Sequence, residues 1–156
     1  MKADDASQSI RLGKVAEVSA GYPFRGKIDD LGGGDVAVIQ LRNVDPENGI
    51  DWTSVSKVEL PRQSAKALLK PDDIILSTRG GRNIAYHIGE CPGRAVCSPH
   101  FFIIRLKNKA VLPCFLAWQI NQKPAQDYFA TGATGSYILN LKRDVVERLL
   151  VKVPPI

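Results

Sequence analysis

Residues 65–81, AKALLKPDDIILSTRGG, leave little choice of local structure. Ala65, Leu68 and Leu69 suit the buried side of a short helix, Pro71 ends it, and Asp72 and Asp73 supply turn chemistry. Ile74 to Thr78 follow as a mostly apolar, β-prone run, which predicts a buried strand. Arg79, Gly80, Gly81 and Arg82 come next, so a flexible cationic loop closes a rigid strand. Loops held by a rigid scaffold are frequent carriers of function, and arginines placed there can meet a polyanion.

The remaining pattern alternates short strands with turns and turns helical only late. Residues 12–18 predict a strand, 19–34 a glycine-broken loop, and 35–44 a strand covered on both faces. Asp45-Pro46-Glu47-Asn48-Gly49 reads as a turn, and 54–60 as a half-buried strand. Residues 83–88 and 95–98 look like the arms of a hairpin, and 101–106 predict another strand. Helices are expected over 113–122, from Pro124 through Tyr128 and Phe129, and over 143–150, before a last strand at 151–153. Trp52 and Trp118 are expected to pack in the core. The fold class is α+β: a twisted, mainly antiparallel β-sheet with a few short helices concentrated in the C-terminal half. Residues 1–10 are polar and expected to fray, leaving 11–156 as one domain.

Bulk chemistry removes several function classes. No apolar stretch reaches the roughly 18 residues of a membrane span, so no membrane partner is expected. The N-terminal MKADDASQSIR lacks the apolar core of a signal peptide, and three cysteines make no disulfide framework. The expectation is a cytoplasmic protein. His87, Cys91, Cys97 and His100 lie close together, but their spacings match no common structural zinc site. No metal or cofactor is assigned. The only Pro-Pro, Val153-Pro154-Pro155-Ile156, lacks the aromatic of an amino-methyltransferase motif, and no acid-x-Lys follows Asp72 and Asp73 to complete a nuclease site. With no catalytic triad to nominate either, the chain reads as non-catalytic.

The net charge of +5 permits nucleic-acid binding, and its distribution says more. Acids crowd residues 28–60, whereas Arg79, Arg82, Arg94, Arg105, Lys107 and Lys109 face only Glu90 over 79–109. Three segments are candidates for double-stranded DNA. Arg79, Arg82 and Asn83 have the side chains that reach guanine and adenine edges. Arg25 and Lys27, in a loop with Tyr22, can neutralise phosphates. Thr134, Ser136, Lys142 and Arg143 combine hydroxyls and cations near glycines, a composition suited to phosphate oxygens.

Four segments in order resemble the target recognition domains of type I restriction-modification specificity subunits. They are LGKVAEVSAGYPFRGK from Leu12, IQLRNVDPENGIDW from Ile39, the turn-strand-loop carrying Leu69, Lys70, Asp73, Ile74, Ile75, Leu76 and Gly80, and GATGSYILNLKRDVVERLLVKVPPI from Gly132. The resemblance implies a non-catalytic domain that reads half of a bipartite DNA site. A partner adenine methyltransferase (modification) subunit would modify the site and a restriction subunit would cleave unmodified DNA. S-adenosylmethionine, ATP and magnesium would belong to those partners. A second recognition domain or a second copy would read the other half. The family separates its two domains by long helices, and the sequence closes at Pro154-Pro155-Ile156, where the first would begin. The reading from a different class is a protein-interaction module of the same fold, a decoy that reads no DNA.

Overall fold

A computed structural model describes residues 8–28, 32–79, 82–131 and 140–154. The chain starts with β1 (Gln8–Arg11), the one-turn helix α1 (Leu12–Val15) and β2 (Ala16–Ala20). Next come β3 (Gly32–Ile39), the small pair β4 (Val44–Asp45) and β5 (Gly49–Ile50), and β6 (Ser56–Val58). Strands β7 (Ile74–Ser77), β8 (Ala85–His87), β9 (Ala95–Cys97) and β10 (Phe101–Leu106) follow. Helices α2 (Pro113–Ile120), α3 (Lys123–Thr131) and α4 (Arg143–Glu147) precede β11 (Leu150–Val153). The class is the expected α+β, mainly antiparallel; the one parallel pairing is β3 with β9 among the described residues.

The strands form layers, and their alternation shows why. In the sheet ordered β2-β10-β7-β8, Ile74, Leu76, Ala85 and Ile104 enter a core shared with Leu116, Ile120, Phe129 and Val146 of the helices. Their neighbours Ile75, Tyr86, Phe101 and Ile103 point the other way, into a second core. That core is closed by Ala37, Ile39, Ala95 and Cys97 of a second sheet, ordered β6-β3-β9. Val36, Val38, Val58 and Val96, on the far face of this second sheet, are covered by Tyr22, Phe24, Ile28 and Leu60. Both β7 and the Val36 to Ile39 part of β3 are buried on two faces, as uninterrupted apolar runs require.

Several local expectations are corrected. Residues 12–18 are not one strand, because Leu12 and Val15 are spaced to bury one side of a helical turn, and Leu12 N–H donates to Leu149 C=O at 2.7 Å. The helix expected around Ala65 is a 3₁₀ turn, Arg62–Ala67, held between Pro61 and Pro71 and too short for a buried face. Ala65 is exposed, and Leu69 is buried beyond the turn. The predicted hairpin does not form, since β8 pairs with β7 while β9 crosses to β3. Ala95, Val96 and Cys97 are buried on both faces, which an isolated hairpin cannot provide. Gly32 to Gly34 belong to β3, at a register shift against β6 where a Cβ on Gly34 would lie 2.3 Å from the Val58 backbone. Gln8, Ser9 and Ile10, expected to fray, pair with Val153, Lys152 and Val151. The last helix stops at Glu147, and Leu150 already belongs to β11. Trp118 is 57% exposed and stacks on Phe115, whereas Trp52 packs against the second core as expected.

Polar side chains tie these layers together. Asp73, 1% exposed, receives Arg105 Nε and Nη2 at 2.8 Å each, and its Oδ2 also accepts from Lys70 N–H at 2.8 Å. The PDD turn is therefore locked to β10 by a two-pronged ion pair, which holds the start of β7 in place. Helix α2 seals two strand edges with amides. Asn121 donates to Ala85 C=O and accepts from Ala85 N–H, and Gln119 does the same for Lys152.

Candidate nucleic-acid interface

The turn at Ser98–His100, between β9 and β10, is where the candidate loops meet. Ser98 N–H donates to Ile39 C=O at the end of β3, and Thr78 N–H donates to His100 C=O at 2.8 Å. Gly21 N–H and Tyr22 N–H donate to Phe101 and Cys97 C=O. Leu141 N–H donates to Thr78 C=O at 3.1 Å. Segments far apart in sequence are thus fastened by backbone bonds around one turn at the strand ends, the Leu141 segment through Thr78. Gly21 is required by close approach, since a Cβ there would stand 2.0 Å from Ser98 O.

In the loop after β7, Arg79 is exposed but bound. Its Nε donates to Asn140 Oδ1 at 2.7 Å, and its Nη1 lies 3.1 Å from His100 Nε2. Arg82 is exposed, and its backbone C=O accepts from the Ser77 hydroxyl. Asn83 is half-buried; its Nδ2 donates to Ser77 C=O at 2.9 Å and its own C=O accepts from Gln126. One hydrogen of the Asn83 amide is thus spent on shaping the loop. Ser77 Oγ also accepts from Ile84 N–H, closing the loop base.

The second loop divides its labour. Tyr22 and Phe24 meet edge to face at 4.7 Å and cover the third core, and Tyr22 OH lies 3.1 Å from Ser64 Oγ. Tyr22 thus serves as scaffold, while Arg25 and Lys27 are exposed on either side of Gly26. A cleft of about 390 Å³, lined by Phe24, Gly26, Gln40, Arg42, Pro99 and His100 among others, joins this loop to the central turn.

Of the third segment, Thr134 and Ser136 lie outside the described residues. Lys142 is exposed at the start of α4, and Arg143 forms a partly exposed 3.4 Å pair with Glu147. His100 was visible in the sequence only as an ill-spaced zinc candidate, and no local signal joins it to Arg79 and Asn140. Among the described residues no group of three potential metal ligands is gathered. Cys97 is fully buried in the second core, where desolvation pushes its thiol up to about 12.

The basic block along the sequence is not one surface in space. Arg94 pairs with Asp35 at 3.4 Å, Arg105 is held by Asp73, and Lys107 Nζ donates to Gly13 C=O. Arg25, Lys27, Arg82 and Lys142 remain as exposed cations on the loops gathered around Ser98–His100. Elsewhere, no helix among the described residues is long and apolar enough to cross a membrane.

No protein-family model and no curated protein matches the sequence. Solved structures do match the fold, over 99% of this chain. The HsdS subunit from Thermoanaerobacter tengcongensis superposes with a TM-score of 0.67 at 11% identity. A structure of a type I R-M system, described for its assembly and conformational transition, gives 0.62 at 19%. The S subunit of a type I restriction-modification system from M. genitalium gives 0.62 at 10%. This chain spans between 35% and 40% of the length of those chains. It has the fold of one part of such S subunits.

Proposed function

We propose that the chain is a target recognition domain that reads double-stranded DNA, one half of a type I restriction-modification specificity subunit. One observation carries the reading: segments from distant parts of the sequence, leading to Arg25 and Lys27, to Arg82 and to Lys142, are bonded around the turn at Ser98–His100, the first at the flanking Cys97 and Phe101, the second at His100 and the third through Thr78. Exposed cations on rigidly held loops suit a phosphate backbone, and the shared fold with S subunits supports the same role. In this reading residues 11–156 act as one domain and catalyse nothing. The domain directs an adenine methyltransferase subunit and a restriction subunit to the site, in the cytoplasm, beside a second recognition domain or a second copy. Selection of bound duplexes from a randomised pool at moderate salt tests it. Enrichment of one half-site, with affinity falling by a log–log slope of about −0.9 per phosphate contact, is the expected outcome. Binding that ignores salt, or a pool that stays random, removes sequence reading.

A second reading, a protein-interaction module, is favoured by one feature. Trp118 and Leu150, 57% and 64% exposed, line a mainly apolar cleft of about 390 Å³ with Gln122, Pro124 and Ala125. A module of this kind would show no salt-dependent binding to duplex DNA.

A further inference from the structure

The hydrogen-bond roles at Arg79 can be worked out without locating a single proton. A guanidinium only donates, so both of its partners must accept. Asn140 therefore presents Oδ1 to Arg79 Nε, which fixes the orientation of its amide and leaves Nδ2 as a donor. His100 must accept at Nε2, so its ring is neutral there and carries its proton on Nδ1. The contact with Arg79 thus spends the one lone pair of His100 Nε2 and one of the two on Asn140 Oδ1. As donors the cluster still offers Arg79 Nη2–H, Asn140 Nδ2–H and His100 Nδ1–H, none of which has a partner among the described residues. Arg79 and Asn140 are exposed and His100 is half-buried. The backbone is fixed as well, because Thr78 is bonded to His100 through N–H and to Leu141 through C=O. Arg79 is held in place before anything binds, so little side-chain freedom remains to be lost.

We infer that Arg79, His100 and Asn140 form a donor-rich recognition cluster that takes a pair of neighbouring hydrogen-bond acceptors on duplex DNA. The inference rests on the DNA-reading role proposed above and adds His100 and Asn140 to it as positioning and specificity-determining residues. Two parts of a duplex have this chemistry. The major-groove edge of guanine offers N7 and O6, and a phosphate offers two unbridged oxygens. The amino groups of adenine and cytosine are donors and meet three donors in the cluster against one remaining lone pair, on Asn140 Oδ1 beside the Arg79 guanidinium.

The test uses the full chain and the duplex it selects. Each guanine is replaced in turn by 7-deazaguanine, which lacks the N7 acceptor, and each phosphate by a methylphosphonate. The proteins compared are the wild type, Arg79→Ala, Asn140→Ala, Asn140→Asp, His100→Ala and His100→Gln. At one position the analogue should weaken the wild type about 5- to 150-fold yet hardly affect Arg79→Ala or Asn140→Ala. Coupling at a guanine identifies the base edge, and coupling at a phosphate identifies the backbone; either supports the cluster. His100→Gln, whose side-chain oxygen can accept from Arg79 while its nitrogen donates, should keep the coupling that His100→Ala loses. Asn140→Asp keeps an acceptor for Arg79 and removes the outward donor, so a merely structural Asn140 would leave its coupling intact; the cluster predicts its loss. Equal analogue effects in wild type and variants at every position, with selective binding retained, overturn the cluster alone. Failure of the wild type to bind any duplex overturns the cluster and the DNA reading together.

Discussion

At the scale of single residues, the proposed function assigns sequence reading and attachment to different cationic loops. Arg82 leaves a loop whose base is stitched by Ser77 and Asn83, so its position relative to a groove is defined. Arg82→Ala is expected to cost about 1–3 kcal/mol on the preferred site and to relax base preference at one position. Lys27 follows Gly26 in an open loop, and Lys27→Ala should weaken all duplexes alike, with a salt slope shallower by about one. Binding profiles over single-base variants of the site measure both, and exchanged effects would reverse the assignment. Cys97 makes a separate prediction about pH. Burial raises its thiol from an ordinary 9.0 to about 12 in the folded chain. Between those values the unfolded chain loses the proton and the native state keeps it, so stability falls as pH rises, by about 1.4 kcal/mol per pH unit. Chemical denaturation from pH 7 to 11 should show this fall in the wild type relative to Cys97→Ala, setting in as pH passes about 9 and with little difference in slope below about pH 8. Thiol-alkylating reagents should label exposed Cys114 in the native chain and reach Cys97 only on unfolding.

At the scale of elements, strands were legible where chemistry is local, and partners were not. Phe101 to Leu106 form β10 over the expected span, because an apolar run without glycine or proline has few alternatives. β9 was legible as a strand, yet its pairing with β3 was not, since three residues carry no signal for a partner over fifty positions away. The same holds for the site. Arg79, Arg82, Arg25 and Lys27 stood out as cations beside glycines, but the use of Tyr22 and Asn83 as scaffold depends on Ser64 and Ser77, which composition cannot pair with them. The amides of α2 were equally hidden. Asn121 holds both backbone groups of Ala85 on the outer edge of β8, standing in for another strand. Asn121→Ala should cost about 1–3 kcal/mol by leaving those groups without their partner, read as a lower denaturant midpoint at unchanged m-value.

At the scale of the whole molecule, the layers place the cationic loops at the strand ends and leave the helices behind the first sheet. The proposed reading leaves catalysis to partner subunits. The purified protein is expected neither to methylate nor to cut DNA, with or without S-adenosylmethionine, ATP or magnesium. Radiolabelled methyl transfer and plasmid cleavage assays check this, and either activity from the homogeneous chain would contradict it. The pairing of β1 with β11, Gln8 opposite Val153 and Arg11 opposite Leu150, has a consequence in time. A ribosome releases residues in order, so β1 must wait for β11, and Arg79 must wait 61 residues for Asn140. Closing such distant pairs is slow and comes late in folding. The growing chain therefore carries an unbraced arginine loop while the 61 residues to Asn140 are added, and in the proposed reading its capacity to discriminate between sequences waits on that one late contact.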